Sequence, residues 1–103
     1  MGNTGRTATP EVWRVVWSDP ALDDLASIRD YIGQFNPLAA QRMAQRIFST
    51  TEKIIGTFPR AGRPLGRERF EVSIIWPYML RYRIEGDDVF ILRVRRGARQ
   101  PED

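Results

Sequence analysis

The sequence contains no cysteine and no histidine among its 103 residues. Without cysteine there are no disulfide bonds and no thiolate metal sites, and a reducing compartment is compatible with the chain. Without histidine the chain lacks both the commonest general base at neutral pH and the commonest zinc ligand. We therefore expect neither a metal site nor a cofactor, and acid–base chemistry would have to rely on carboxylates or tyrosines.

Long apolar runs are also missing. No stretch approaches the roughly 20 apolar residues that span a bilayer, and residues 1–9 lack the apolar centre of a secretory signal. We expect a cytoplasmic protein that does not bind membranes. Residues 1–10 are expected to form a flexible tail, residues 11–99 one folded domain, and residues 100–103 a short C-terminal end.

Lysine is scarce, since Lys53 is the only one and 15 of the 16 basic residues are arginine. Residues 1–59 carry six basic and six acidic groups, whereas residues 60–99 carry ten arginines against five carboxylates. A coding bias toward arginine and a binding function are equally good explanations of the choice of arginine over lysine. Coding bias does not explain why the arginines cluster in the C-terminal half. Arginine has a planar fork that binds carboxylates and phosphates. The C-terminal half is therefore expected to bind something anionic.

The residue patterns predict an α+β fold in the order β-α-α-β-β-β. A β-branched and aromatic run over residues 12–17 predicts the first strand. Ser18-Asp19-Pro20 predicts a capped helix start, and Asn36-Pro37 predicts a second one after a short connection. The result is a helical hairpin packed on one face of a small, mostly antiparallel sheet.

Apolar residues recur at steps of three and four along both helices, which predicts one buried stripe on each. The residues expected to pack the hairpin onto the sheet are Leu22, Leu25, Ile28, Ile32, Met43, Ile47 and Ile54.

The C-terminal half predicts a loop followed by three strands. Residues 60–69 are rich in glycine and arginine and lack the Gly-Lys-Ser/Thr ending of a P-loop. Alternation predicts strands on either side of Pro77, and a turn at residues 85–88 precedes an apolar central strand. We favour a turn with an even number of residues, because an odd number would place Arg81 opposite Arg93 and bring like charges together.

Five motifs in collinear order resemble the RelE/ParE toxin superfamily, and ParE-like toxins of type II toxin–antitoxin systems in particular. They are Trp17 to Leu25 with Tyr31-Ile32, Asn36 to Ala40, Phe58 to Pro64, Arg69 with Pro77-Tyr78 and Tyr82-Arg83, and Ile91 to Arg99. The resemblance implies a sheet of about four strands with a two-helix hairpin. It also implies growth inhibition, a role in plasmid stabilisation, and neutralisation by an acidic antitoxin. The sequence departs from the family at Arg96, where many relatives carry histidine.

The resemblance leaves the target open, because ParE-like members poison DNA gyrase and RelE-like members cleave mRNA on the ribosome. RelE-type cleavage uses lysine, arginine, glutamate or histidine, often with a C-terminal tyrosine, and arginine alone is a poor proton carrier. The remaining candidates are Glu68, Glu71 and Glu85 as bases and Tyr78 or Tyr82 as an acid. Gyrase inhibition needs only a binding surface. We therefore favour a non-enzymatic gyrase inhibitor, with an mRNA endoribonuclease or a non-toxic antitoxin-binding module as the alternatives.

No catalytic residue is assigned, and the residues expected to bind the target or the antitoxin are all arginines. They are Arg69, Arg81, Arg83, Arg93, Arg95, Arg96 and Arg99. The last four lie within seven positions that contain no acid, so an anionic partner is expected there. Arg81 and Arg83 are equally able to pair with Glu71, Glu85 or Asp87.

The acidic residues of the first half have a structural interpretation. Asp19, Asp23, Asp24 and Asp30 are expected to be helix caps or solvated charges. Direct nucleic-acid binding is a less favoured alternative: the arginine cluster alone would permit it, because neutralising phosphates needs only positive charge, but no RNA-binding aromatic motif is present. A transcription factor is least favoured, because neither helix carries an arginine-rich recognition face.

Overall fold

A computed structural model describes residues 12–97 and consists of two helices and five strands. In chain order these are β1 (Arg14–Trp17), α1 (Asp19–Gly33), α2 (Pro37–Thr57), β2 (Arg63–Gly66), β3 (Arg69–Ile75), β4 (Tyr78–Glu85) and β5 (Asp88–Arg96). The sheet order is β1-β5-β4-β3-β2, with β1 parallel to β5 and all other pairs antiparallel. The predicted α+β class is confirmed. The N-terminal tail, the C-terminal end and Arg99 lie outside the described residues.

Both helices begin where their caps predict. The Ser18 hydroxyl oxygen accepts a hydrogen bond from the Ala21 amide at 3.2 Å, and Asn36 Oδ1 accepts one from the Ala39 amide at 3.0 Å. A proline occupies the first turn of each helix, where its missing N–H leaves no bond unmade. Within residues 12–97, neither helix has the length and hydrophobicity that a membrane span requires.

The sequence predicted a loop over residues 60–69, but part of this stretch forms the strand β2. This edge strand pairs Arg63 with Glu71 and Pro64 with Phe70. All four of its residues are exposed, so no alternation of buried and exposed positions marks it in the sequence. Proline is tolerated there because an edge strand leaves one side of its backbone unpaired. The sheet therefore has five strands where the resemblance implied about four.

The core lies between the helices and one face of the sheet. Tyr78, Leu80, Tyr82 and Ile84 of β4 are buried there, and their neighbours along the strand are more exposed. From α2, Ile47 is fully buried, as predicted.

Two residues of the predicted stripe do not belong to the core. Ile54 is 39% exposed and Leu22 is 46% exposed, while their neighbours Ile55 and Ala21 are completely buried. Both differences have one cause, since the face that a helix buries is set by its orientation on the sheet. The other predicted residues are less exposed: Leu25, Ile28 and Met43 pack against the core, and Ile32 is half-buried.

The hairpin between β4 and β5 has the predicted even turn, of two residues, closed by the Glu85–Asp88 pair. Gly86 has φ +62, a conformation that favours glycine. A β-bulge then shifts the register by one residue, so that Arg81 lies opposite Arg93 after all. The expectation that an even turn would separate these arginines is therefore wrong. The bulge leaves the Leu92 carbonyl free to accept a hydrogen bond from the Ser18 hydroxyl at 3.1 Å.

Candidate functional site

The face of the sheet turned away from the helices gathers arginines from four strands. Along β4, Arg81 and Arg83 alternate with the buried residues and so lie on this open side. Residues directly opposite each other on neighbouring strands share a face, so the strand register identifies the rest of the set. We call it the arginine face, and it consists of Arg63, Arg69, Arg81, Arg83, Arg93 and Arg95.

At the centre of the arginine face, one carboxylate holds two guanidinium groups. Arg63 Nη2 donates to Glu71 Oε1 at 2.6 Å, and Arg81 Nε donates to Glu71 Oε2 at 3.0 Å. The hydrogen bond from Arg81, together with that from Arg63, lowers the pKa of Glu71, although partial burial opposes this. Glu71 is therefore ionised and already bonded on both oxygens, which makes it a poor general base.

A second carboxylate reaches the arginine face from α1. Arg93 donates from Nε and Nη2 to the two Asp24 carboxylate oxygens at 2.8 and 3.0 Å, and the Val94 amide donates to Asp24 Oδ2 at 2.9 Å. The hydrogen bond from Arg93 lowers the pKa of Asp24, aided by the Val94 amide and opposed by partial burial. The interpretation of Asp24 as a cap or solvated charge is therefore wrong.

Strand lengths explain this contact. β1 ends at Trp17, opposite Ile91, so beyond that point β5 pairs with β4 on one side and has no strand on the other. α1 runs alongside instead and supplies the acceptor that a strand would have offered to Val94. Arg93 thus has a counter-ion close in space, Asp24, although residues 93–99 contain no acidic residue. No sequence signal marks this pair, whose members are 69 positions apart.

The other arginines of the face differ in how far they are engaged. Arg83 donates to Glu85 at 3.1 Å, and its guanidinium carbon lies 5.2 Å from the centre of the Phe90 ring. Arg69 and Arg95 form no ion pair with any residue between 12 and 97. These two exposed cations are the ones most available to an outside anion.

The five side chains that the sequence offered as proton carriers are buried or engaged in ion pairs. Tyr78 and Tyr82 are buried on the helix side of the sheet. The Tyr82 hydroxyl oxygen accepts a hydrogen bond from the Gly62 amide at 2.9 Å, and burial raises its pKa. Glu68 is bonded to Arg60 at 2.6 Å, and Glu85 is bonded to Arg83. The arrangement is suited to holding anions and poorly suited to acid–base catalysis.

The structure brings together five of the predicted binding arginines but not Arg96. Arg96 lies opposite Tyr78, on the helix side of the sheet. It lines a cleft of about 330 Å³ with Ser27, Ile28, Tyr31 and Tyr78.

Within residues 12–97 no three acidic side chains are grouped so that they could hold a metal ion. Sequence reasoning missed Asp24 and Arg63, which reach this face only through folding.

Comparison with known proteins gives consistent results. The family model described as the ParE toxin of the type II toxin–antitoxin system parDE matches residues 15–101. The protein named Toxin RelE2 from Caulobacter vibrioides is 45% identical over 86 residues, which cover 84% of this chain and 97% of that relative.

Two solved structures share the fold. The chromosomal ParDE system from P. aeruginosa superposes with a TM-score of 0.75 at 23% identity, covering 86% of this chain and 100% of the other. The RelBE2 toxin–antitoxin complex from Mycobacterium tuberculosis gives a TM-score of 0.63 at 24% identity, covering 85% and 94%. At this identity the likeness supports the architecture of two helices on a mostly antiparallel sheet.

Proposed function

This chain belongs to the ParE toxin family of type II toxin–antitoxin systems, and on that premise we propose that it inhibits DNA gyrase by binding. In this proposal it acts in the cytoplasm, inhibits growth, contributes to plasmid stabilisation, and is neutralised by an acidic antitoxin. The observation that carries the proposal is the arginine face, a binding surface whose neighbouring carboxylates and tyrosines are ion-paired or buried.

The chemistry of RNA cleavage makes different demands on a surface. Cleavage by a neighbouring 2′-hydroxyl needs one group to accept a proton and another to protonate the leaving oxygen, which together contribute about 10²–10⁴-fold in rate. An arginine has a pKa above about 12 and does not exchange its proton readily near neutral pH. A gyrase inhibitor requires no proton transfer, so this surface favours binding.

Within the proposed contact, Arg69 and Arg95 are the principal residues because neither is used by an ion pair of the fold. Arg81, Arg83 and Arg93 flank them and shape the surface through their internal contacts. Arg96, on the other side of the sheet, and Arg99, outside the described residues, remain further proposed contacts for the target or the antitoxin.

An antitoxin partner is supported by the relatives, since both solved structures are described as toxin–antitoxin systems. The excess of arginine over residues 60–99 favours an acidic segment. Charge complementarity chiefly accelerates the encounter, and salt screens it. The association rate with the cognate antitoxin should therefore fall steeply as salt is added, and a salt-independent rate would contradict the electrostatic part of the proposal.

A second candidate, ribosome-dependent mRNA cleavage, is favoured by the name of the relative that is 45% identical, Toxin RelE2. The experiment is a supercoiling assay with purified gyrase, run beside a ribosome-dependent cleavage assay on mRNA. Inhibited supercoiling without cleavage supports the gyrase proposal. Cleavage with unaffected supercoiling would refute it in favour of the ribonuclease.

Two variants locate the contact. Replacing Arg69 or Arg95 by glutamine should weaken gyrase inhibition about 5- to 150-fold, the range for losing one charged hydrogen-bonded contact. The matched control is Arg67→Gln, which removes an exposed arginine from the turn between β2 and β3. Equal losses in all three variants would mean that net charge, and not the arginine face, governs inhibition.

A further inference from the structure

The solvent-facing side of α2 carries a row of cations separate from the arginine face. We call Arg42, Arg46 and Lys53 the basic stripe, and all three are exposed. An α-helix turns by about 100° and rises about 1.5 Å per residue. Offsets of four and eleven residues therefore bring the three side chains within about 40° of one another, along about 16 Å of the helix.

The basic stripe lies opposite the side of α2 that packs on the sheet. The buried residues of the helix include Ala40, Ile47, Thr51 and Ile55. At the same angle per residue, the middle of this buried row is about 150° from the middle of the stripe. Since the arginine face is the sheet surface turned away from the helices, the two basic surfaces lie on opposite sides of the molecule.

No acidic side chain of the described region neutralises the stripe. None of its members forms an ion pair with a residue between 12 and 97. The only acidic residue of α2 is Glu52, whose Oε2 accepts a hydrogen bond from Trp17 Nε1 at 3.1 Å. On the neighbouring helix, Asp30 lies 3.7 Å from Arg29, so that pair adds no net charge.

Hydrogen-bond donors surround the first two cations. Arg42 and Arg46 line a shallow depression of about 340 Å³ together with Leu38, Gln41 and Gln45. Guanidinium and side-chain amide groups are among those that bind phosphate oxygens at protein–DNA interfaces. This part of α2 therefore offers two charges and two amide side chains around one concave surface.

We propose that the basic stripe binds the sugar–phosphate backbone of duplex DNA, independently of sequence. A protein partner would be expected to bury apolar or aromatic anchors at the centre of the contact. Between Arg42 and Lys53 the stripe offers none, because Phe48 lies to one side and stacks on Trp17, with the ring centres 5.3 Å apart. The exposed Leu38 lies one helical turn before Arg42, at the end of the stripe and not at its centre. Contact with phosphates needs only positive charge and hydrogen-bond donors.

This inference goes beyond the proposed function, because it assigns a DNA contact to the side of the molecule opposite the arginine face. If three phosphates are neutralised, log Kobs should fall with log salt with a slope of about −2.7 from the stripe alone. That corresponds to a loss of about 40-fold in affinity between 50 and 200 mM salt.

The test is fluorescence anisotropy of the purified full-length chain with a labelled 20-base-pair duplex of mixed sequence, repeated across that salt range. Replacing Arg42, Arg46 and Lys53 together by glutamine should reduce the magnitude of the slope by about 2.7. The three positions are exposed and glutamine is a good helix former, so the melting temperature should stay unchanged. Replacing Arg42 and Arg46 by lysine should preserve the slope, because phosphate neutralisation depends on charge.

The matched control removes the same charge elsewhere, through Arg67→Gln, Arg69→Gln and Arg95→Gln combined. A control that lowers the slope as much as the stripe variant would overturn the proposal, as would a wild-type chain that does not bind the duplex. So would a stripe variant that keeps its DNA slope but loses affinity for DNA-free gyrase, because the stripe would then bind protein. Gyrase binding is measured separately, so failure of the gyrase proposal does not affect the DNA result.

Discussion

Replacing Asp24 by alanine tests how α1 is attached to the sheet. The carboxylate bonds both the Arg93 guanidinium and the Val94 amide, and Val94 is only 3% exposed. With alanine, the Val94 N–H loses its acceptor, because β1 does not extend along this part of β5. An unsatisfied buried N–H costs about 1–3 kcal/mol. In a domain of this size, each kcal/mol lowers the melting temperature by about 4–8 °C.

Asparagine at the same position separates the two contacts. Asp24→Asn keeps a side-chain oxygen for the Val94 amide but removes the charge that attracts Arg93. It should therefore be clearly less destabilising than Asp24→Ala. The matched control is Asp23→Ala at the exposed neighbouring position, where the free energy of unfolding should change by no more than about 0.5 kcal/mol.

The pH dependence gives an independent check. The pKa values of Asp24 and Glu71 are both lowered in the folded protein, in each case chiefly by a hydrogen bond from an arginine. A lowered carboxyl pKa means that the stabilisation is complete above the unfolded value of about 4 and is lost as the pH falls through the folded value. The wild-type chain should therefore lose stability more steeply below about pH 4 than Asp24→Asn does.

The measurement is urea or thermal unfolding followed by circular dichroism between pH 2 and 7. If Asp24→Ala melts within a degree of the wild type, or no lower than Asp23→Ala, then the Val94 amide does not depend on Asp24. If Asp24→Asn is as destabilising as alanine, the ion pair and not the backbone hydrogen bond dominates.

Five further variants test the packing by the same unfolding measurement. Ile47→Ala should cost about 2–5 kcal/mol as a buried cavity, and Ile54→Ala at least about 1 kcal/mol less because it is partly exposed; equal costs would contradict the assigned buried face. Gly62→Ala places its Cβ 2.7 Å from a buried tyrosine hydroxyl and should destabilise by about 1–3 kcal/mol, whereas Gly33→Ala meets nothing closer than 3.7 Å and should be neutral or stabilising. Thr51→Val removes a buried hydroxyl that has no hydrogen-bond partner among residues 12–97 and should stabilise by about 1 kcal/mol, and a loss of stability would reveal a bond that the hydroxyl makes.

Local chemistry allowed much of the fold to be predicted from the sequence. Ser18 and Asn36 cap the helices as expected because capping involves atoms only a few residues apart. The alternation in β4 identified its buried side because strand side chains point to opposite faces in turn. The family resemblance depended on the same short motifs, each of which lies within one element or turn.

The sequence could not predict which of two adjacent apolar residues is buried. Ile54 and Ile55 are both apolar, and only the orientation of α2 on the sheet decides that Ile55 is buried and Ile54 is not. The sequence did not predict β2, because an exposed edge strand of four residues has no alternation of buried and exposed positions. No local sequence signal predicted the bulge that brings Arg81 opposite Arg93, and at this bulge the Leu92 carbonyl accepts a hydrogen bond from Ser18, 74 positions away in the chain.

For the candidate site, too, the sequence predicted some features and the tertiary structure decided the others. The sequence by itself determined that the C-terminal half concentrates arginine and that the chain lacks histidine and cysteine, which restricts its chemistry. Only the tertiary structure decided which arginines remain available. Asp24 engages Arg93 and Glu71 engages Arg81, while Arg95 is left without an ion pair among the described residues. The physical reason is that a counter-ion need only be near in space, and folding brings Asp24 to Arg93 from the other half of the chain.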